Sequence, residues 1–196
     1  RVSAPDFLVC ELLAPALTAF TKRWPQIKLH VTTTYELADL GSREADIAIR
    51  LISHGSPLPG ELTGRKAATL YSAVYGSGEN WLGWHGDERD RAWIVNYPDF
   101  DYPILGAMAN VFLQRSACIE GMGLAHLPCF MADPFLEQRT IPKPGADVWI
   151  LVHPDLRRNP RLRLFRDEMF AAFKELRPRL EGKMKKQSCK GYVSDM

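Results

Sequence analysis

Apolar side chains recur at Val9, Leu12, Leu13, Ala16, Leu17, Phe20 and Trp24, the spacing of one face of an amphipathic helix. Pro5 and Asp6 suit a helix start, and Pro25 disfavours helical geometry in the residue before it, so this helix is expected from about Pro5 to Trp24. The residues ahead of it read as a strand, and Ile27 to Thr32 alternates as a half-buried second strand. A short helix or turn is predicted over residues 36–44, followed by a third strand from Ala45 to Leu51. Such βαβα alternation argues for a parallel sheet covered by helices.

Ser53 to Gly60 reads as loop, and Leu70 to Tyr75 as a strand. The stretch GSGENWLGWHGDERDR, Gly76 to Arg91, is polar and glycine-rich and marks a boundary or hinge near Gly76. Beyond it the pattern predicts a brief strand at Ala92–Val95, a helix at Met108–Glu120, strands at Gly123–Leu127 and Val148–Val152, and a last helix from Leu164 to Leu180. Two alternating α/β lobes joined by crossing strands fit this order. Residues 1–75 would form lobe I and residues 76–150 lobe II, with residues 151–182 returning to lobe I and a basic, disordered tail at 183–196.

Composition narrows the classes. With 196 residues, 46% of them hydrophobic, the chain can bury a real core. No apolar run approaches the roughly 18 residues of a membrane span. A net charge of +2 is too small for nucleic-acid binding by the whole surface. The cysteines 10, 118, 129 and 189 form no CxxC pair, which argues against a metal site. Cys10 and Cys118, set among apolar helical residues, read as reduced buried thiols of a cytoplasmic protein. No cofactor is expected, and no GxSxG, HExxH or P-loop pattern supports catalysis. The start at Arg1 lacks a signal peptide's apolar segment, so the chain reads as a piece of something longer.

Candidate chemistry gathers where strands end. Asp46 and Arg50 bracket the third strand and share one side of it. Asp46 reads as pinning the preceding turn. Arg50 has two readings, a structural pairing with a neighbouring loop, or paired donors offered to an anion at the carboxyl end of a strand. Asp6, Phe7 and Leu8 open a helix whose free amides attract anions. The Asp6 carboxylate, however, suits a neutral, polar or amine-bearing ligand better. Thr33, Thr34 and Tyr35 follow the second strand with hydroxyls and a ring. His126 reads as a packed strand histidine, Gly121 and Gly123 as a tight turn, and Arg157, Arg158, Arg161 and Arg163 as a surface or interlobe ion network.

Three stretches resemble the effector-binding region of LysR-type transcriptional regulators: ADIAIR at 45–50, EGMGLAHLP at 120–128 and HPDLRRNPRLRLF at 153–165. WLGW at 81–84 and the VWIL strand add to the likeness. The resemblance implies a periplasmic-binding-protein-like (type 2) fold, two Rossmann-like lobes with a central cleft that takes a small-molecule effector. It implies that Asn96, Tyr97, Ala109 and Asn110 line the second wall of that cleft. It also implies a homodimer or tetramer in which Leu12–Phe20 packs beside Val111–Ile119 of a second copy, and a winged helix-turn-helix that binds DNA and is absent here. The short stretch between Trp84 and Gly106 departs from the pattern and suggests a lobe II without one hairpin. The competing reading is a free-standing solute-binding protein of a transport system.

Overall fold

The computed structural model describes residues 1–35, 45–58 and 63–183. The helix expected at 36–44 and residues 184–196 of the expected tail lie outside these. The chain divides into two compact units: Arg1–Leu70 with Pro144–Leu180, and Tyr71–Lys143 with the residues from Glu181 onward.

In the first unit, strand β1 (Val2–Ala4) lies between two parallel neighbours, β2 (Val31–Thr33) and β3 (Ile47–Ser53), with Val2 opposite both Val31 and Ile47. The strand expected at Ile27–Thr32 forms only at its end, as Val31–Thr33; Ile27 N–H turns back onto the Trp24 carbonyl at 2.9 Å. Antiparallel to β3 runs β8 (Lys143–Val152), in register from Ile47 opposite Val152 to Ser53 opposite Ala146; the first part of β4 (Thr63–Gly76) follows it. The sheet is therefore mixed, not wholly parallel. Alternation sends Ile47, Ile49, Val148, Ile150 and Val152 to one face and Ala48, Arg50, Asp147, Trp149 and Leu151 to the other.

Helices cover the first of these faces. Helix α1 (Asp6–Leu8) continues through a π-helical turn, Val9–Leu13, into α2 (Ala14–Arg23), which stops ahead of Pro25. A regular helix would place Cys10 on the face of Leu13 and Leu17, but the wide turn rotates it outward, so Cys10 is exposed, while Cys118 and Cys129 are buried. Phe20 meets Phe165 edge-on at 5.1 Å; Phe165, Met169 and Phe173 line the buried side of α6 (Pro160–Glu175). Asn159 caps α6, accepting from Arg161 N–H at 3.0 Å, and the short α7 (Arg177–Leu180) follows. On the opposite face, Asp147 accepts from Thr69 Oγ1 (2.8 Å) and from Lys66 Nζ (2.8 Å), and meets His54 Nδ1 at 3.0 Å. Burial alone would raise its pKa, but these partners outweigh burial and hold it down at about 2.

In the second unit, the remainder of β4 pairs antiparallel with β7 (Leu124–Pro128), from Ser72 opposite Pro128 to Gly76 opposite Leu124. Parallel to β7 lies β5 (Trp81–Gly83), and parallel to β5 lies β6 (Ile104–Ala107). Gly76, where a hinge was expected, has φ +99°, and a Cβ there would stand 2.2 Å from the Gly123 carbonyl oxygen. Only glycine permits that approach. Residues 92–95 are not a strand: Ala92 to Ile94 end helix α3 (Glu88–Ile94), which Asp87 caps by accepting from Arg89 N–H at 3.0 Å. Four apolar residues cannot distinguish the two periods, and the capping acid decides. Helices α4 (Val111–Ile119) and α5 (Cys129–Ala132) complete the unit, and no strand forms between Trp84 and Pro103.

The core of this unit is aromatic. Trp81, fully buried, meets Trp93 edge-on at 5.2 Å, and both Trp93 and Tyr97 lie 5.6 Å from the His126 ring. Burial, and then the Lys143 charge, push the His126 pKa down to about 4. An unfolded histidine takes up its proton near pH 6.5, so between pH 6.5 and about 4 the unfolded chain binds the extra proton. Stability is therefore expected to fall as pH drops through that window, by up to roughly 3 kcal/mol, and His126→Phe is expected to flatten the dependence. Urea unfolding followed by circular dichroism at stepped pH checks this.

Candidate functional site

In the first unit the candidates gather at the carboxyl ends of β1 and β2. Thr34 N–H donates to the Ala4 carbonyl at 3.0 Å, which carries the β2 end alongside the start of α1. There Asp6 Oδ1 accepts from Phe7 N–H (2.8 Å) and from the Tyr35 hydroxyl (2.6 Å), and the Phe7 and Tyr35 rings stack at 6.2 Å. Burial, then the Asp6 carboxylate, push the Tyr35 pKa up, so its hydroxyl keeps its proton and remains a donor. Tyr35 is half exposed, Thr33 is exposed, and the Phe7 and Leu8 side chains are buried in the core. The polar groups presented here are thus a carboxylate, hydroxyls and backbone amides.

Arg50 is only 2% exposed and lies mid-strand in β3 rather than at its end. Its Nη1 donates to the carbonyls of Ser3 (2.9 Å) and Ile49 (2.8 Å), and its Nη2 to Ser3 Oγ (2.6 Å). Nε is buried without an acceptor, and burial lowers the pKa of the group. Among the described residues no carboxylate pairs with it. The guanidinium binds the neighbouring strand, an arrangement closer to the structural reading than to the anion-binding one. Asp46 also has a structural place, its amide on the Arg1 carbonyl at 2.9 Å and its Oδ1 accepting from Arg1 Nη2 at 3.2 Å.

In the second unit Asn96 and Tyr97 do not follow a strand. They follow α3: Asn96 Nδ2 donates to the Trp93 carbonyl at 3.1 Å, and Tyr97 is packed into the aromatic core. Ala109 and Asn110 do lie just past a strand end, that of β6, and both are exposed; Asn110 Oδ1 caps α4 by accepting from Leu113 N–H at 2.9 Å. No described contact joins the two pairs. The residues past the β5 end are Trp84, His85 and Gly86, whose amides all converge on Asp90, a carboxylate with 0% exposure. Gly86 N–H to Oδ2 is 2.8 Å and His85 N–H to Oδ2 is 3.0 Å. Gly83 makes room for this, since a Cβ there would stand 2.3 Å from Asp90 Oδ2. Ser3 and Asp90 were not singled out in the sequence. The available signal for Asp90 was WLGWHGDERD, two glycines three apart leading into an acid-rich helix start.

Gly121, with φ +77°, makes the expected tight turn. Of the basic run, Arg163 pairs with Asp167 at 3.8 Å across one helical turn; no ion pair of Arg157, Arg158 or Arg161 occurs among the described residues. Among the described residues no group of histidine, cysteine and acidic side chains could hold a metal ion.

Two substitutions test this description. Arg50→Met removes a buried charge and strands two Ser3 acceptors, and is expected to cost about 3 kcal/mol in urea unfolding. Asp90→Asn places an amide donor against converging N–H groups and is expected to cost about 2 kcal/mol, whereas the exposed Asp99→Asn is expected to change stability by less than about 0.5 kcal/mol.

Comparison with known proteins now bears on these arrangements. The sequence model of the LysR substrate binding domain family matches residues 1–73. The HTH-type transcriptional regulator CrgA of Neisseria meningitidis serogroup C is 27% identical over 200 residues, covering 85% of this chain and 64% of that protein. The chain thus spans a little under two thirds of that relative's length. The CrgA regulatory domain structure superposes with a TM-score of 0.70 at 21% identity, covering 88% of this chain and 97% of that one. The AmpR effector binding domain from Citrobacter freundii gives 0.69 at 14% identity, covering 89% and 97%. The fold is that of these domains, the periplasmic-binding-protein-like type 2 fold. In its first 73 residues, in its curated relatives and in its fold, the chain is similar to the substrate-binding domains of LysR-type regulators.

Proposed function

We propose that this chain is the ligand-sensing regulatory part of a cytoplasmic transcription factor, whose DNA contacts come from a helix-turn-helix outside it. The observation that carries the reading is the agreement of the family match over residues 1–73 with a curated relative described as a transcriptional regulator. The transport-protein alternative has no such support. The effector is a small molecule taken up at the strand ends of the first unit where Asp6, Thr33, Thr34 and Tyr35 gather; Ala109 and Asn110, at the β6 end, are the second unit's own candidate residues. Because Asp6 presents a carboxylate and Arg50 is turned inward onto Ser3, the site suits an amine-bearing or neutral polar effector better than an acid. Effector binding shifts the population of conformations by its differential affinity, and an oligomer carries that shift to the DNA-binding parts.

Oligomer formation has candidate surfaces in the proposal. On α2 the side chains of Ala14, Pro15, Thr18 and Ala19 are exposed, and on α4 Leu113 and Ile119 are 52% and 46% exposed. Charged substitutions there are expected to yield monomers, which sedimentation velocity reads directly; Leu113→Asp that sediments as the parent does refutes the α4 assignment.

A thermal-shift screen of amines, neutral polar molecules and carboxylates tests the effector class. The expected hit carries an amine or is neutral, and Asp6→Asn weakens it by about tenfold or more, with Tyr35→Phe intermediate. A carboxylate that binds parent and Asp6→Asn equally overturns the assignment. The coding sequence upstream of Arg1 separates the two readings: a helix-turn-helix supports the regulator, an export signal the transport protein.

A further inference from the structure

The first unit holds a recess of about 250 Å³ on the helix-covered face of its sheet, the face opposite Arg50. Its floor is Ile150, Val152 and Phe170; around them stand Arg65, Arg157 and Arg166, with Asp167 as the one acid. Each arginine arrives by a different route. Gly64 lets β4 lie close on β8, since a Cβ there would stand 2.4 Å from Leu151 Cδ2 and 2.7 Å from the Ile150 carbonyl oxygen. That approach sets Arg65 at the rim, where its guanidinium lies 3.6 Å from the centre of the Phe170 ring. Arg157 comes from the turn before α6, and Arg166 from the second turn of α6.

The charge is not balanced by the protein. Among the described residues, none of Arg65, Arg157 and Arg166 has a carboxylate within ion-pair distance, and Asp167 is engaged by Arg163 at 3.8 Å. Three like charges around one small recess repel one another, and a solvated surface gives no reason to gather them from two separate segments. The stacking of Arg65 on Phe170 leaves the edges of its guanidinium free to donate, the geometry that matches a phosphoryl or carboxylate group with two parallel hydrogen bonds. The apolar floor gives a small carbon body a place to rest.

We propose that this recess is a binding site for a small dianion, a phosphate monoester or a dicarboxylate, separate from the effector site proposed above. Two of the arginines hold the charged group and the third takes its remaining oxygen; Ile150 and Val152 face the body of the ligand. The volume of about 250 Å³ admits a phosphoryl group with a few attached carbons. Its occupation ties β4, β8 and α6 together, so the dianion stabilises the first unit.

The test is isothermal calorimetry and thermal shift on the 196-residue chain at fixed ionic strength, with glycerol 3-phosphate, succinate and inorganic phosphate as probes and acetate as the monoanion control. At least one dianion is expected to bind and raise the melting temperature, with acetate weaker by about tenfold or more. Arg166→Gln and Arg157→Gln are each expected to weaken the dianion by about tenfold, while Arg158→Gln, a neighbour outside the recess, leaves it unchanged. Arg65→Gln also disturbs the Phe170 stack, so Arg166→Lys serves as the second check: it keeps the charge, folds as the parent does, and retains part of the affinity. Equal response to acetate and the dianions, dianion binding unaffected by Arg157→Gln and Arg166→Gln together, or binding confined to duplex DNA each overturns the proposal.

Discussion

A guanidinium placed inside a β-sheet has to be hydrogen-bonded in place, because an unpaired buried charge costs more than one domain's margin of stability allows. In the first unit this condition falls on Arg50, and Ser3 meets most of it with a carbonyl and a hydroxyl. Much else follows from that bond. It fixes β1 beside β3; β1 in turn offers the Ala4 carbonyl to Thr34 and hands the chain to Asp6, whose carboxylate collects the Tyr35 hydroxyl. A three-residue strand with no long side chain of its own is held in register by the longest side chain of its neighbour.

The two units solve one electrostatic problem in the same way. Amides past the end of a parallel strand form a concave, positively polarised surface that invites an anion. In both units the chain supplies the anion itself: Asp6 accepts Phe7 N–H in one, and Asp90 accepts the amides of Trp84, His85 and Gly86 in the other. The second neutralisation is internal and complete, with Asp90 fully buried; the first is partial, since Asp6 remains half-buried beside an exposed tyrosine. The units therefore differ in what they can offer a solute, although they share their strand-end geometry.

How much of this was legible in the sequence depended on the length of each pattern. The long helix face ending at Trp24, and the apolar runs of β3, β7 and the second half of β8, carry enough repeats to declare their period, and their positions follow closely; the first half of β8, Lys143–Asp147, is polar and hides its strand. Strands β5 and β6 do not: three or four residues, one a glycine, hold no period, and β5 is buried on both sides. A strand read at Ala92–Val95 in place of β5 shifts the residues that follow it, so Asn96 and Tyr97 stand where Trp84 to Gly86 belong. Asp90 was hidden for another reason. Set in DERDR it reads as a surface acid, and only the converging amides make its burial favourable. Cys10 was misplaced by a single widened helical turn, which periodicity cannot register. Arg50 and Asp46 stand out in the sequence because a charge in an apolar run is conspicuous, but composition does not say which way a guanidinium turns.

The division of the chain also orders its history. The first unit is built from Arg1–Leu70 and Pro144–Leu180, whereas the bulk of the second is the uninterrupted stretch between them. During synthesis the middle stretch is complete while the first unit still lacks β8 and α6, which carry the partners of β3 and the cover for Phe20. Until the segment Pro144–Leu180 leaves the ribosome, the nascent chain exposes the apolar face of an unfinished sheet. The exposure is thus set by the order of the segments, whatever the finished protein's stability.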